Sequence, residues 1–473
     1  MNDKNNEEKF DKVLNGWDVV VTAFGAMIGW GWVVSSGEWI QKAGVIGTVL
    51  GFLIGGLMIY FVGLVYSELT AALPKCGGEH VFGYKAFGPI GSFICTWYII
   101  LSYIGVVCFE ACSLPTIIQY IFPSFMKGYL YTIAGFDVYV TWLITAIAVA
   151  ALITYINILG VKAAAKLQTF LTLIIAVVGI GLVISSALNG HPVNLTSQLF
   201  NGESFFARSK SAISIAIIAP FFLFGFDVIP QIAEEINISP KKIGKLLMLS
   251  IVLAVVFYAL VVLGIGYAMN AADIASSNEK AGLVAADAIA KMFHSDVLAD
   301  VMIIGGMCGI LTSWNSFMIG GSRALFAMAE SYMIPHIFAK LHSKYKTPHY
   351  SILLVGGLSV IAPFFGRRML VWISDAASFS CCVAYCIVSL SFIAIRKKYP
   401  DLPRPFKIKH GSAVGIIAVI LSGFMVVAFL CPNTGSTLLI QEWVIVCGWT
   451  ILGVIFACYC KNRYGDKFGT MNE

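Results

Sequence analysis

The sequence predicts an all-α membrane protein with twelve spanning helices. Of its 473 residues 59% are hydrophobic and only 12% charged, whereas about a quarter of the residues in a soluble domain are charged. Mean hydropathy is +0.85. Long, nearly uncharged windows centre near residues 28, 55, 98, 150, 179, 219, 259, 312, 357, 386, 421 and 452, most of them close to the ~20 residues that cross hydrocarbon. One transmembrane domain, residues 17–460, is expected between polar tails at 1–16 and 461–473.

Orientation follows from lysine and arginine, which accumulate in cytoplasmic loops. With the N-terminus inside, the inner segments 1–16, 73–88, 160–166, 237–248, 323–346, 396–410 and 461–473 hold 23 of the 31 basic residues. Both termini are therefore expected in the cytoplasm of a multi-pass protein of the cell membrane. The net charge of +6 is mostly this topological bias and implies no nucleic-acid partner. The first sixteen residues have no short apolar core followed by a small-residue cleavage site, so no removable signal peptide is expected.

The twelve cysteines lie mainly inside predicted helices, as at Cys95, Cys108, Cys112, Cys381, Cys382 and Cys386, without CxxC metal spacing; they read as small, buried, reduced residues. The outer connection 271–300 contains "EKAGLVAADAIAKMF", a short amphipathic helix by its periodicity. The inner stretch "RKKYPDLPRPFKIKH" (396–410) is basic and punctuated by proline, which suits an extended loop.

Glycine and proline inside spanning segments carry more information. Helix 1 contains Gly25, Gly29 and Gly31, with Trp30 between the last two, and helix 6 contains "APFFLFGFDVIP" with Pro220, Gly225 and Pro230. Non-helical backbone at membrane depth persists only where protein or water satisfies its polar groups. Two broken helices five helices apart therefore point to one shared cavity, and to helices 1–5 and 6–10 as inverted repeats with helices 11 and 12 added.

Six segments resemble the amino acid–polyamine–organocation superfamily of permeases, in the expected order: "MIGWGW" (27–32), "YSELTAALPKCGGEHVFGYKAFGP" (66–89), "NILGVKAAAKLQ" (157–168), "FGFDVIPQIAEEINISPKKIGK" (224–245), "SRALFAMAESYMIPHIFAKLHSKYKTP" (322–348) and "RKKYPDLPRPFKI" (396–408). The resemblance implies the five-plus-five inverted-repeat fold of the leucine-transporter type, with helices 1 and 6 discontinuous. It also implies that the helix 1 turn, Ala26, Met27, Gly29, Trp30 and Gly31, holds substrate. Its unpaired N–H groups and positive dipole end suit an anionic group, and in the family they hold a carboxylate. The family usually has a small residue where Trp30 stands. The indole then fills that space itself, turns into a packed wall while the backbone binds, or offers a π-face to a cation.

Around that turn the expected substrate contacts are Glu110 on helix 3, Phe221, Phe224, Gly225 and Asp227 on helix 6, and Trp314 on helix 8. Glu110 and Asp227 are carboxyl groups inside spanning segments, where function is the default reading; if both face the cavity, the site favours a cationic amine or basic amino acid. By resemblance Asp227 matches a gating or proton-coupling position, and a second role is as partner for backbone N–H at the break. Trp30, Trp314 and Phe221 together make part of an aromatic box suited to ammonium. Glycines 77, 78 and 83 between Glu68, Lys75, Glu79 and Lys85 make the inner loop a hinge with charges for inner-gate pairs.

Coupling to H⁺ or Na⁺ is undetermined in the sequence. Some relatives carry a lysine late in helix 5 in place of sodium; counting from Lys162, that position falls on or near Ile175. Thr312 and Ser313 offer hydroxyls of the kind that bind sodium, although such groups also bond their own helix, and exchange without a co-transported ion is equally open. With no paired Walker elements, zinc spacing or nucleophile triad, neither an enzyme nor a primary pump is indicated, and no cofactor is implied. The expected function is a secondary transporter of amino acids or related organic amines. The alternatives are a carrier for a cationic amine or polyamine lacking a carboxylate, and an amine sensor without flux; a channel is disfavoured because no pore-lining ring is evident.

Overall fold

The computed structural model describes residues 10–279, 282–432, 434 and 436–471. The first nine residues and the last two of the expected tails, and residues 280 and 281 of the outer amphipathic segment, lie outside them. The first spanning segment comprises α1 (Gly16–Ile28) and α2 (Gly31–Val34), followed by the short α3 (Ser36–Ala43). Asn15 starts α1 with a capping box, its side chain accepting from the N–H of Trp17 and Asp18 while Asp18 accepts from its own N–H, which satisfies donors the helix cannot. Next come α4 (Val45–Ala72), α5 (Glu79–Ile121), α6 (Val140–Ile158) and α7 (Val161–Asn189), then a short turn of helix, α8 (Pro192–Thr196). The sixth segment is α9 (Phe205–Ile218) with α10 (Val228–Gln231); after it run α11 (Pro240–Ala268), α12 (Ala271–Glu279), α13 (Val284–Phe293) and α14 (Asp296–Glu330). The chain closes with α15 (His349–Ile361), α16 (Gly366–Lys398), α17 (Gly411–Leu430) and α18 (Ile440–Tyr464).

By length and composition, eleven segments among the described residues are able to cross a membrane. The longest, 349–398, holds both α15 and α16, parted by a tight turn at Ala362–Phe365 and by Gly366 at φ 71°. The expected amphipathic segment is helical as α13, whose Val284, Ala285, Ala286, Ala288 and Ile289 are buried, and α12 precedes it. One feature has no counterpart in the sequence reading: an antiparallel hairpin, β1 (Tyr129–Ile133) and β2 (Phe136–Tyr139), joined by Ala134 and Gly135 at φ 50° and 76°. Positive φ at both loop residues matches the twist of the strands.

Small residues set how closely the helices approach. On α4, a Cβ at Gly51 would lie 2.5 Å from Ile215 Cβ, and one at Gly55 would lie 2.7 Å from Ala219 Cβ, so this face seats the sixth segment. Gly56 and Gly63 turn the other way and receive Val255 and Ile251 of α11. Such stripes let backbones meet in a membrane, where dispersion rather than the hydrophobic effect holds helices together. Large apolar side chains such as Leu188, Ile420 and Val444 are exposed, a surface that suits lipid.

Both described chain ends lie at the C-terminal end of α14. Phe10 packs edge-on against Phe326, and the Gly469 N–H bonds the Ser331 carbonyl. At this same end Arg323 pairs with Glu235, and Arg396 and Arg404 both reach Glu68, which also accepts the Ile408 N–H. The non-helical part of the basic 396–410 stretch is thereby pinned against α4.

Candidate functional site

The site is built where two helices stop. Gly29 takes φ 46°, ψ −149°, a conformation open to glycine and strained for other residues, and α2 begins two residues later. The carbonyls left at the end of α1 are taken up by hydroxyls of neighbouring helices. Tyr258 of α11 donates to Met27 O (3.1 Å) and Ile28 O (2.8 Å), and Ser313 of α14 donates to Ala26 O (3.2 Å). A Cβ at Gly309 would stand 1.9 Å from Gly29 O, so the break rests directly on a glycine of α14. The Trp30 ring lies over Gly306 next to it, where a Cβ would meet Trp30 Cζ3 at 2.4 Å.

The sixth segment breaks in a complementary way. After α9 the chain tightens through Ala219–Leu223, extends at Phe224 and turns at Gly225, φ 127°. Asp227 holds this turn: its Oδ1 accepts from Gly225 N–H (2.9 Å) and from Tyr385 Oη–H (2.8 Å), while Tyr103 donates to its carbonyl (3.1 Å). A Cβ at Gly225 would lie 2.7 Å from Ala26 Cβ and 3.1 Å from Met27 N. The two breaks are therefore in contact.

Beside them is a cavity of about 240 Å³, small beside the roughly 300–1,000 Å³ of pockets for drug-sized ligands. Ala26, Met27, Gly29, Trp30 and Gly31 line it from the first segment, and Phe221, Phe222 and Phe224 from the sixth. Helix α5 contributes Glu110, with Ser102 and Ser113, and α14 contributes Ser313 and Phe317. Glu110 is 6% exposed and its Oε2 has no partner among the described residues. Arg367 lines the far end, away from the chain termini.

Four of the residues singled out in the sequence stand behind this lining. Gly225 and Asp227 shape the break from the buried side. Thr312 bonds the Gly309 carbonyl of its own helix (2.9 Å). Trp314 is fully buried, its indole N–H unpartnered among the described residues. Tyr258, Tyr103 and Tyr385, which anchor the two breaks, were not singled out; their signal is a hydroxyl in mid-span, weak beside the many tyrosines of a membrane protein. A second chamber of about 650 Å³ adjoins the first through Phe221, Phe222 and Phe224 and is lined by Glu38, Lys42, Asp375 and Glu442. Towards the termini the path is packed: Tyr66, Phe226, Tyr385 and Gln231 are all buried, and Tyr66 meets Phe226 edge-on at 5.3 Å.

A polytopic helical membrane protein with a small cavity, mostly apolar with a few polar groups, at two touching helix breaks is the architecture of a solute carrier. The chain belongs to the Amino acid permease family, whose profile matches residues 14–456. Among its relatives is the branched-chain amino acid permease BcaP of Bacillus subtilis, 25% identical over 472 residues, which cover 97% of this chain and 95% of that one. The aspartate-proton symporter of the same organism is 27% identical over 88% of this chain and 79% of its own. The histidine permease HisP of Lactococcus lactis is 24% identical over 88% of each.

Proposed function

We propose that this protein is a secondary transporter that carries amino acids across the cell membrane by alternating access, with substrate held between the Gly29–Gly31 turn and Phe224. The carrying observation is the contact of the two breaks beside a cavity of about 240 Å³. An amino acid places its carboxylate at the N–H groups opening α2 and an ammonium towards Glu110, whose buried carboxylate forms no ion pair among the described residues to offset its desolvation. Two placements favour an amino acid over an amine without a carboxylate. The Trp30 ring is seated on Gly306, leaving Gly29 and Gly31 on the lining, and Trp314 does not complete an aromatic box.

Twelve crossings, in five-plus-five inverted repeats with α17 and α18 added, fit this reading. Chain ends on one side require an even number, and dividing 349–398 at Gly366 supplies the twelfth. The basic loops support a cytoplasmic placement for that side. The closed terminal end and the lining that reaches Arg367 fit a carrier facing outward.

Counterflow in proteoliposomes tests the proposal. Vesicles loaded with unlabelled amino acids are diluted into radiolabelled ones, singly and beside polyamines. Saturable uptake of an amino acid supports it. Uptake restricted to amines without a carboxylate overturns it in favour of the amine carrier.

A further inference from the structure

Beneath the cavity, towards the chain termini, lies a second buried carboxyl. Glu79 is the first residue of α5 and is fully buried. Its Oε2 accepts from the side-chain amide of Gln231 at the end of α10, while its Oε1 has no hydrogen-bond partner among the described residues. Gln231 Oε1 and Asp227 Oδ2 are also buried and unpartnered there. Tyr66 of α4 turns its hydroxyl towards the same carboxyl without reaching hydrogen-bond geometry.

No cation among the described residues forms an ion pair with this group. Among the described residues the arginines of this end are committed elsewhere, Arg323 to Glu235 and Arg396 and Arg404 to Glu68. The titratable groups that face Glu79 are Tyr66 from α4, Asp227 from the sixth segment, and Tyr103 and Cys95 from its own helix; each is neutral or acidic. His80 beside it is occupied by Ser92 and Ser331. The cluster is thus rich in acceptor oxygens and short of donors. A proton on Glu79 supplies a donor and removes an uncompensated charge.

We propose that Glu79 is a proton-binding site that couples transport to protons, loaded while Gln231 and Tyr66 pack over it and emptied when the inner end of the sixth segment moves away. The idea rests on the transport reading. Opening brings water to Glu79; its O–H bond breaks, the electron pair stays on the carboxylate and the proton passes to water. The ion left behind sits at the N-terminus of the first stretch of α5, which runs to a non-helical Gly88 (φ 73°), and a helix dipole favours negative charge at that end. Glu79 is therefore provided for in both states, protonated when dry and ionised when wet.

The test uses full-length protein in proteoliposomes with a mixture of the twenty common amino acids, radiolabelled, and a pH-sensitive dye in the lumen. With the outside about one pH unit more acidic, one-for-one coupling drives accumulation to about tenfold. Wild type is expected to approach that value and to acidify the lumen. Glu79→Gln is expected to lose both, with accumulation near onefold, and to retain counterflow. Gradient-driven accumulation that survives in Glu79→Gln overturns the proposal. So does wild-type counterflow that ignores the gradient, which leaves the transport reading intact. Wild type that moves no label in either mode overturns both. If Glu79→Gln loses counterflow as well, infrared spectroscopy of wild type and Glu79→Asp in lipid decides. A protonated-carboxyl band that shifts in Glu79→Asp supports the site, and an unchanged band overturns it.

Discussion

Gly309→Ala probes the seat of the first helix break with one added methyl group. In an exposed helix this change is favourable by about 1 kcal/mol. Here the new Cβ would stand 1.9 Å from Gly29 O and 2.5 Å from Gly29 C. A carbon settles against a carbonyl oxygen at about 3.3 Å or more, so α14 and the break must part by on the order of 1 Å. Overpacking of this kind costs about 1–3 kcal/mol; set against the propensity gain it leaves a net destabilisation of about 0–2 kcal/mol, towards the upper end because the clash is with backbone atoms. A misplacement near 1 Å is worth about a hundredfold where geometry governs function. Because membrane proteins in detergent often unfold irreversibly, stability is read as a thermal-inactivation half-life, with counterflow measured beside it. Gly357→Ala, at a helical glycine with open space around it, is the matched control and leaves both readouts unchanged or slightly improved. If Gly309→Ala behaves like Gly357→Ala, the break does not rest on α14 and the reasoning fails.

Three further outcomes follow from buried pairs. Arg323→Met leaves Glu235 charged and unpaired in a buried site, a loss of about 3–5 kcal/mol seen as collapsed expression and half-life, and adding Glu235→Leu restores most of it. Tyr385→Phe removes the hydroxyl that bonds Asp227 Oδ1 and costs about 1–3 kcal/mol, measured by the same thermal decay. Glu110→Gln weakens the hold on a substrate ammonium, a charged hydrogen bond worth about 1.5–3 kcal/mol, so the half-saturating concentration in counterflow rises tenfold or more while thermal decay changes little.

Much of this architecture is legible without coordinates, because the bilayer imposes a length and a polarity on each crossing. Gly29 and Gly225 also declare themselves, since few other features explain glycine beside proline or tryptophan at mid-span. What periodicity hides is direction. The sequence puts Asp227 in a membrane segment, and only packing turns its oxygen to the Gly225 N–H and the Tyr385 hydroxyl. Trp30 is ambiguous for the same reason: Gly306 is the cue to where its ring goes, but it lies roughly 275 residues further along the chain. The β1–β2 hairpin escapes notice because Ala134 takes a positive φ that a glycine or asparagine would have signalled. Glu79 reads as one charge in a hinge, and it packs against Gln231, a residue 152 positions further along the chain.

Substrate position tests the account most directly. Cryo-electron microscopy of the protein in lipid nanodiscs, with a saturating amino acid taken from the counterflow panel, is expected to show density between the Gly29–Gly31 turn and Phe224. The carboxylate should lie within hydrogen-bond distance of N–H groups at the start of α2, and an amine should face Glu110. Density confined to the larger chamber beside Asp375 and Glu442, with the helix breaks empty, would contradict the account.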